Sequence, residues 1–129
     1  MPAPLPRPPF WRRRRVVVRD DSMRPTLRPD DRLWVDTGAF RRRAPLPGEI
    51  VVFGDGERPG RWLVKRVERV DPAGAFVLGD AGGSSRDSRT FGAVPLDRLI
   101  GCVVACYAPP ARRRSFVPPD DANLKPMWK

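Results

Sequence analysis

The chain has 129 residues, enough for one domain with one core. It contains no histidine, which excludes a serine-histidine-aspartate triad, a cysteine-histidine pair and any histidine-ligated metal site. Of the net charge of +10, residues 1–15 hold +5 and residues 109–129 hold +3, leaving only +2 for the interval 16–108. The basicity therefore belongs to the flanks, and the interior lacks the interleaved basic and aromatic residues that specific nucleic-acid binding would need.

The opening stretch "MPAPLPRPPFWRRRR" (1–15) mixes proline with arginine and reads as an extended tail. Its charges follow the apolar residues and it has no continuous apolar centre, unlike a secretory signal. Trp11 beside Arg12 to Arg15 offers at most a weak peripheral contact with a membrane surface. The first strand-like run is "RVVVRD" (15–20). It leads into "DDSMRPTLRPDD" (20–31), where Ser22 stands between carboxylates and Met23, and where Pro25 and Pro29 stiffen the chain. Ser22 is expected in a loop, or in a single turn that Pro25 opens.

Further β-like runs follow at "RLWVD" (32–36), "EIVVF" (49–53), "RWLVKRVERV" (61–70) and "AFVLG" (75–79), separated by the turn signals "PLPG", "GDGERPG" and "DPAG". After the glycine- and serine-rich "GDAGGSSRDSRTFG" (79–92), "PLDRL" (95–99) supplies one helical turn before the last strand, "LIGCVVACY" (99–107). The longest apolar stretch, 99–108, is about half the ~20 residues that a spanning helix requires, so no transmembrane anchor is expected. Cys102 and Cys106 lie on that strand, ~13 Å apart by strand geometry and too far for a disulfide. They read as small buried hydrophobes in a reducing compartment. Residues 109–129 return to proline and arginine as a second tail. The expected architecture is a small, mainly β, antiparallel domain over 16–108, soluble and cytoplasmic, with no cofactor and no metal implied.

Without histidine, a nucleophilic serine needs a carboxylate or a neutral lysine to take its proton. Among 25 basic residues only Lys65, Lys125 and Lys129 are lysines, and the last two fall in the C-terminal tail. Arginine does not deprotonate in proteins, whereas a desolvated lysine does. Alternation in "RWLVKRVERV" puts Leu63, Lys65 and Val67 on one face, where aliphatic neighbours should lower the lysine pKa. The competing reading of a lone strand lysine is an edge gatekeeper facing solvent.

Four segments in this order resemble the boxes of the type I signal peptidase family of serine/lysine peptidases. They are "SMRPTL" (22–27), "PGEIVVF" (47–53), "KRV" (65–67) and "GDAGGSSRDSRTFGAV" (79–94). The resemblance implies a signal-peptidase-like fold, Ser22 as nucleophile and Lys65 as general base. It also implies Ser85 as the residue that orients the lysine, Asp87 and Arg89 as a structural ion pair, and Met23 and Pro25 as shapers of the turn and groove. Three positions depart from the family pattern. Asp20 stands where a glycine or serine completes the oxyanion hole, and its carboxylate must turn away or leave that work to backbone. Ala81 replaces an asparagine, and Asp30 replaces a glycine in a turn that aspartate tolerates.

Within the family, the compact, arginine-rich form with "DDSM" (20–23) and "LRPDDRL" (27–33) looks most like the soluble proteases that mature nickel-type superoxide dismutase. The resemblance implies a precursor protein as partner, nickel superoxide dismutase first among candidates, with the nickel belonging to the substrate. The expected activity is removal of an N-terminal leader by a serine endopeptidase. The alternatives are processing of another precursor, a peptidase like the self-cleaving repressors, and a peptide-binding module whose catalysis has lapsed.

Overall fold

A computed structural model of the chain describes residues 4–83 and 86–116. Seven strands form one sheet: β1 (Arg13–Val17), β2 (Arg32–Asp36), β3 (Ile50–Gly54), β4 (Trp62–Asp71), β5 (Gly74–Leu78), β6 (Leu99–Ala108) and β7 (Arg114–Ser115). Every pairing is antiparallel, in the order β1-β2-β6-β3-β4-β5, with β7 on β6. Helix among the described residues is confined to α1 (Ser88–Phe91) and to three 3₁₀ turns, one of them the expected turn at Leu96–Arg98. The mainly β class read from the sequence is the class observed.

Two packed clusters account for the sheet. Ile50 and Val52 face Leu33, Val35, Val103 and Met23, while Val51 and Phe53 on the opposite side of β3 face Leu63, Val67, Val77 and Val94. A strand buried on both faces needs an unbroken apolar run, which is why "IVVF" lacks the polar alternation of an exposed strand. Register shifts between β2 and β6, β3 and β6, and β4 and β5 add local twist. Gly74 opens β5 at φ 132°, where a Cβ would stand 2.1 Å from the Val94 carbonyl oxygen, so the β4–β5 turn admits only glycine. Asp30 takes the left-handed turn read from its sequence context, at φ 77°.

The two flanks pack more closely than their composition implies. Residues 10–15 were expected in an extended tail, yet Phe10–Arg12 forms a 3₁₀ turn and β1 begins at Arg13. The reason is the chemistry of guanidinium. Arg12 holds Asp36 through two hydrogen bonds of 2.8 and 2.6 Å, Arg13 and Arg15 lie over the Trp34 ring, and Arg14 lies over Trp62. Residues 109–116 also fold back: Pro110–Arg112 forms a 3₁₀ turn, β7 pairs with β6, and Phe116 packs against the first cluster. Arg112 fastens this segment by gripping the buried Asp31 carboxylate at 2.8 and 2.9 Å.

Cys102 and Cys106 are buried free thiols on β6. Burial, with Glu49 nearby, pushes the Cys102 thiol up to about 12, so it is inert as a nucleophile. Among the described residues no group of acidic or cysteine side chains is arranged to hold a metal ion. No helix among them is long and apolar enough to cross a membrane.

Candidate active site

Beyond β1 the ladder runs one residue further, where Val18 donates to the Asp31 carbonyl and accepts from the Asp30 N–H, both at 2.9 Å. The chain then turns back over residues 20–27. Met23 and Leu27 plunge into the first cluster and fix this turn from below, and the Leu27 N–H closes it on the Met23 carbonyl at 2.9 Å. Ser22, next to the Met23 anchor, is left half-buried, and Pro25 sits exposed on the outer side of the turn after a cis peptide bond. Met23 and Pro25 are thus both in the turn, but only Met23 reaches the adjoining groove wall.

Lys65 projects from β4 on the same face as Leu63 and Val67, and only 2% of it is exposed. The gatekeeper reading therefore fails. Ser22 and Lys65 line one cleft of about 380 Å³, together with Asp20, Arg61, Ala81 and Arg86. Burial pushes the Lys65 pKa below the ordinary lysine value; Asp20 and Asp87 oppose that shift, and the positive charges of Arg86 and Arg61 reinforce it. At a given pH a desolvated lysine is neutral, and so able to accept a proton, in a larger share of molecules than one in water.

A network of ion pairs ties the remaining boxes to these two residues. The Ala81 N–H donates to the Ser22 carbonyl at 2.9 Å, and the Thr26 hydroxyl donates to Asp80 at 2.6 Å. Arg66, next to Lys65, grips the same Asp80 carboxylate at 2.9 and 2.7 Å. Turn, strand and loop are thereby locked in one frame. Asp87 is fully buried and accepts from the Gly79 N–H at 3.0 Å, the Arg89 N–H at 3.1 Å, and the Arg89 guanidinium at 3.0 and 2.7 Å. Burial alone would raise its pKa, but these donors hold the carboxyl well below the usual range. Asp87 and Arg89 are thus paired with each other. Ser85 lies outside the described residues.

Arg61 and Arg86 escaped the sequence reading, and so did the buried Asp55 that holds Arg86 at 2.6 Å. The Arg86 and Glu57 hydrogen bonds lower the Asp55 pKa to about 2. No spacing rule singles out these arginines in a chain so rich in them. Asp20 was singled out, and its geometry is specific: its carboxylate accepts from the Ser22 backbone N–H at 3.1 Å, with Arg61 3.9 Å from its other oxygen. Although exposed, this carboxylate has not yielded the N–H, and it occupies the donor that an oxyanion at Ser22 would use.

The family model described as "Signal peptidase, peptidase S26" matches residues 11–71 and 68–108. A mitochondrial ATP-independent inner membrane protease subunit 1b from Arabidopsis thaliana is 34% identical over 106 residues, covering 64% of this chain. The match spans 63% of that relative's length, so just under two thirds of it is represented. The matched residues contain the Ser22 turn, the Lys65 strand and the Asp87 loop, and on that footing the chain belongs to the signal peptidase family of peptidases.

Proposed function

We propose that this chain is a serine endopeptidase in which Ser22 and Lys65 form a catalytic dyad that removes an N-terminal leader from a precursor protein. One observation carries the reading: the half-buried Ser22 and the desolvated Lys65 face one cleft. An extended peptide would pair with the open edge of β1 and bring its scissile carbonyl to Ser22. Neutral Lys65 accepts the hydroxyl proton as Ser22 Oγ bonds to the carbonyl carbon. The ammonium then gives that proton to the leaving amine as the C–N bond breaks. Water, deprotonated by Lys65, attacks the acyl ester, and the proton returns to Ser22 Oγ as the leader is released.

For the developing oxyanion to reach the Ser22 N–H, the Asp20 carboxylate must leave it. Arg61 is the nearest cation to receive that carboxylate. The leading substrate candidate is the nickel superoxide dismutase precursor, on the resemblance of the compact arginine-rich form to its maturation proteases. Intact-mass analysis of that precursor after incubation with wild type, Ser22→Ala and Lys65→Ala tests dyad and substrate together. A single cut lost in both variants is the expected result. No cut by wild type removes this substrate.

The contact between Asp20 and the Ser22 N–H also favours a second reading, a peptide-binding module whose catalysis has lapsed. A serine-reactive acylating probe separates the two. Labelling of Ser22 that disappears in Lys65→Ala belongs to an enzyme, whereas an unlabelled wild type belongs to a binder.

A further inference from the structure

Among the described residues β1 is an edge strand that pairs only with β2. The parity of the ladder fixes which of its groups are free. The Arg12 carbonyl accepts from the Thr37 N–H at 2.8 Å, and Val18 exchanges hydrogen bonds with Asp30 and Asp31. Even-numbered residues therefore bond toward β2, and Arg13, Arg15 and Val17 turn their N–H and C=O groups to the open edge. A groove of about 440 Å³ runs along that edge, walled by Met23, Trp62 and Val64, and it shares Asp20 and Arg61 with the cleft of Ser22 and Lys65.

The side chains of this strand divide by face. Val16 packs against the core and Val18 is buried in it, whereas Arg15 and Val17, of the opposite parity, are exposed, as is Arg19, one residue past the end of the ladder. Among the described residues neither Arg15 nor Arg19 makes a salt bridge. The geometry points to a substrate segment with carboxylate side chains at positions i and i+4, which stand beside Arg15 and Arg19, and apolar side chains at i+1 and i+3. The inference rests on the peptidase reading and adds the class of peptide it takes.

The spacing follows from the strand. A peptide added to β1 pairs with it residue by residue, so the residues opposite Val16 and Val18 lie over Met23, Trp62 and Val64, and those opposite Arg15, Val17 and Arg19 share the arginine face. Arg15 and Arg19 flank Val17 symmetrically, so the i, i+4 pattern reads the same for a parallel or an antiparallel peptide. Each cross-strand pair of opposite charge favours binding roughly 2- to 5-fold at low salt.

Two fluorescent peptides of identical composition test this, one with glutamates at i and i+4 and one with glutamates at i and i+3. The second pattern puts its charges on opposite faces in every register. Binding is read by anisotropy on full-length Ser22→Ala, which needs no chemistry. The expected result is roughly 2- to 5-fold tighter binding of the i, i+4 peptide, abolished at high salt. An Arg15→Glu/Arg19→Glu variant should reverse the preference toward lysines at i and i+4. Equal affinity for the two glutamate peptides overturns the inference. Equal affinity together with sedimentation on phosphatidylserine vesicles also overturns it and assigns the arginines to an anionic membrane. Face preference without cleavage by wild type would instead count against the dyad alone.

Discussion

Lys65 and Asp87 are charged side chains buried in the same small domain, at 2% and 0% exposure, and their surroundings treat them in opposite ways. Both pKa values are lowered. For Asp87 the donors from Arg89 and Gly79 outweigh burial, so the lowered value keeps the carboxylate charged and in place. For Lys65 burial between aliphatic neighbours dominates, so the lowered value favours loss of charge. A buried charge that is fully compensated suits a scaffold, and one that is desolvated suits the proton transfer proposed for Lys65.

The sharpest way to break this contrast is to replace each group by one that cannot ionise. Lys65→Met is expected to lower kcat/KM by ~10³-fold or more while stabilising the fold by about 1–3 kcal/mol, because a desolvated amine gives way to an apolar chain of similar length. Peptide cleavage and thermal melting of one preparation check both signs at once, and loss of stability would mean that Lys65 is structural. Asp87→Ala should do the reverse to the scaffold. It strips the acceptor from the Gly79 N–H and from Arg89, and a loss of about 2–4 kcal/mol in urea unfolding is expected.

Asp20→Ser comes next in size. Removing the carboxylate frees the Ser22 N–H and supplies a hydroxyl that can donate to the oxyanion, so kcat/KM is expected to rise about 10- to 100-fold. An unchanged or lower rate would make the Asp20 contact a support of the turn rather than an obstacle to chemistry.

Much of this organisation is local and so legible in sequence. Alternation around Lys65 located a buried amine, and the "RLWVD" run coincides with β2 at both ends. The Asp20 problem was visible as a carboxylate beside the candidate nucleophile, but its geometry, a bond from the Ser22 N–H, depends on a turn that residue types alone do not draw. What composition concealed is long-range. Arg112 reaches Asp31 across 81 positions, and Arg12 reaches Asp36 across 24, so two segments that look like solvated tails contribute to the folded body. Arginine has both a charge and a planar stacking surface, and counting it as charge alone misplaced residues 10–15.

The smallest effects are those of pH, and they test the contrast by its sign. The folded pKa of Lys65 lies below the unfolded value near 10.5, so the unfolded chain binds the extra proton between the two values and stability rises with pH in that window. The advantage of Lys65→Met should therefore be full below the folded pKa and shrink as pH approaches 10.5. Activity should share the lower limit, with kcat/KM climbing along a limb whose midpoint lies under 10.5 and vanishing with Lys65→Met. Asp55, held at about 2 against an ordinary 3.8, contributes stability that is present above 3.8 and is lost as pH falls toward 2. The contributions of these two groups thus both rise with pH, at the acid end because a compensated carboxylate gains its charge and at the alkaline end because an uncompensated amine sheds one. At the alkaline end the buried Cys102 thiol, raised to about 12, acts in the opposite direction and is common to wild type and Lys65→Met. Melting curves of wild type and Lys65→Met that differ by the same amount at every pH would deny Lys65 its lowered pKa, and with it the proposed role of proton acceptor for Ser22.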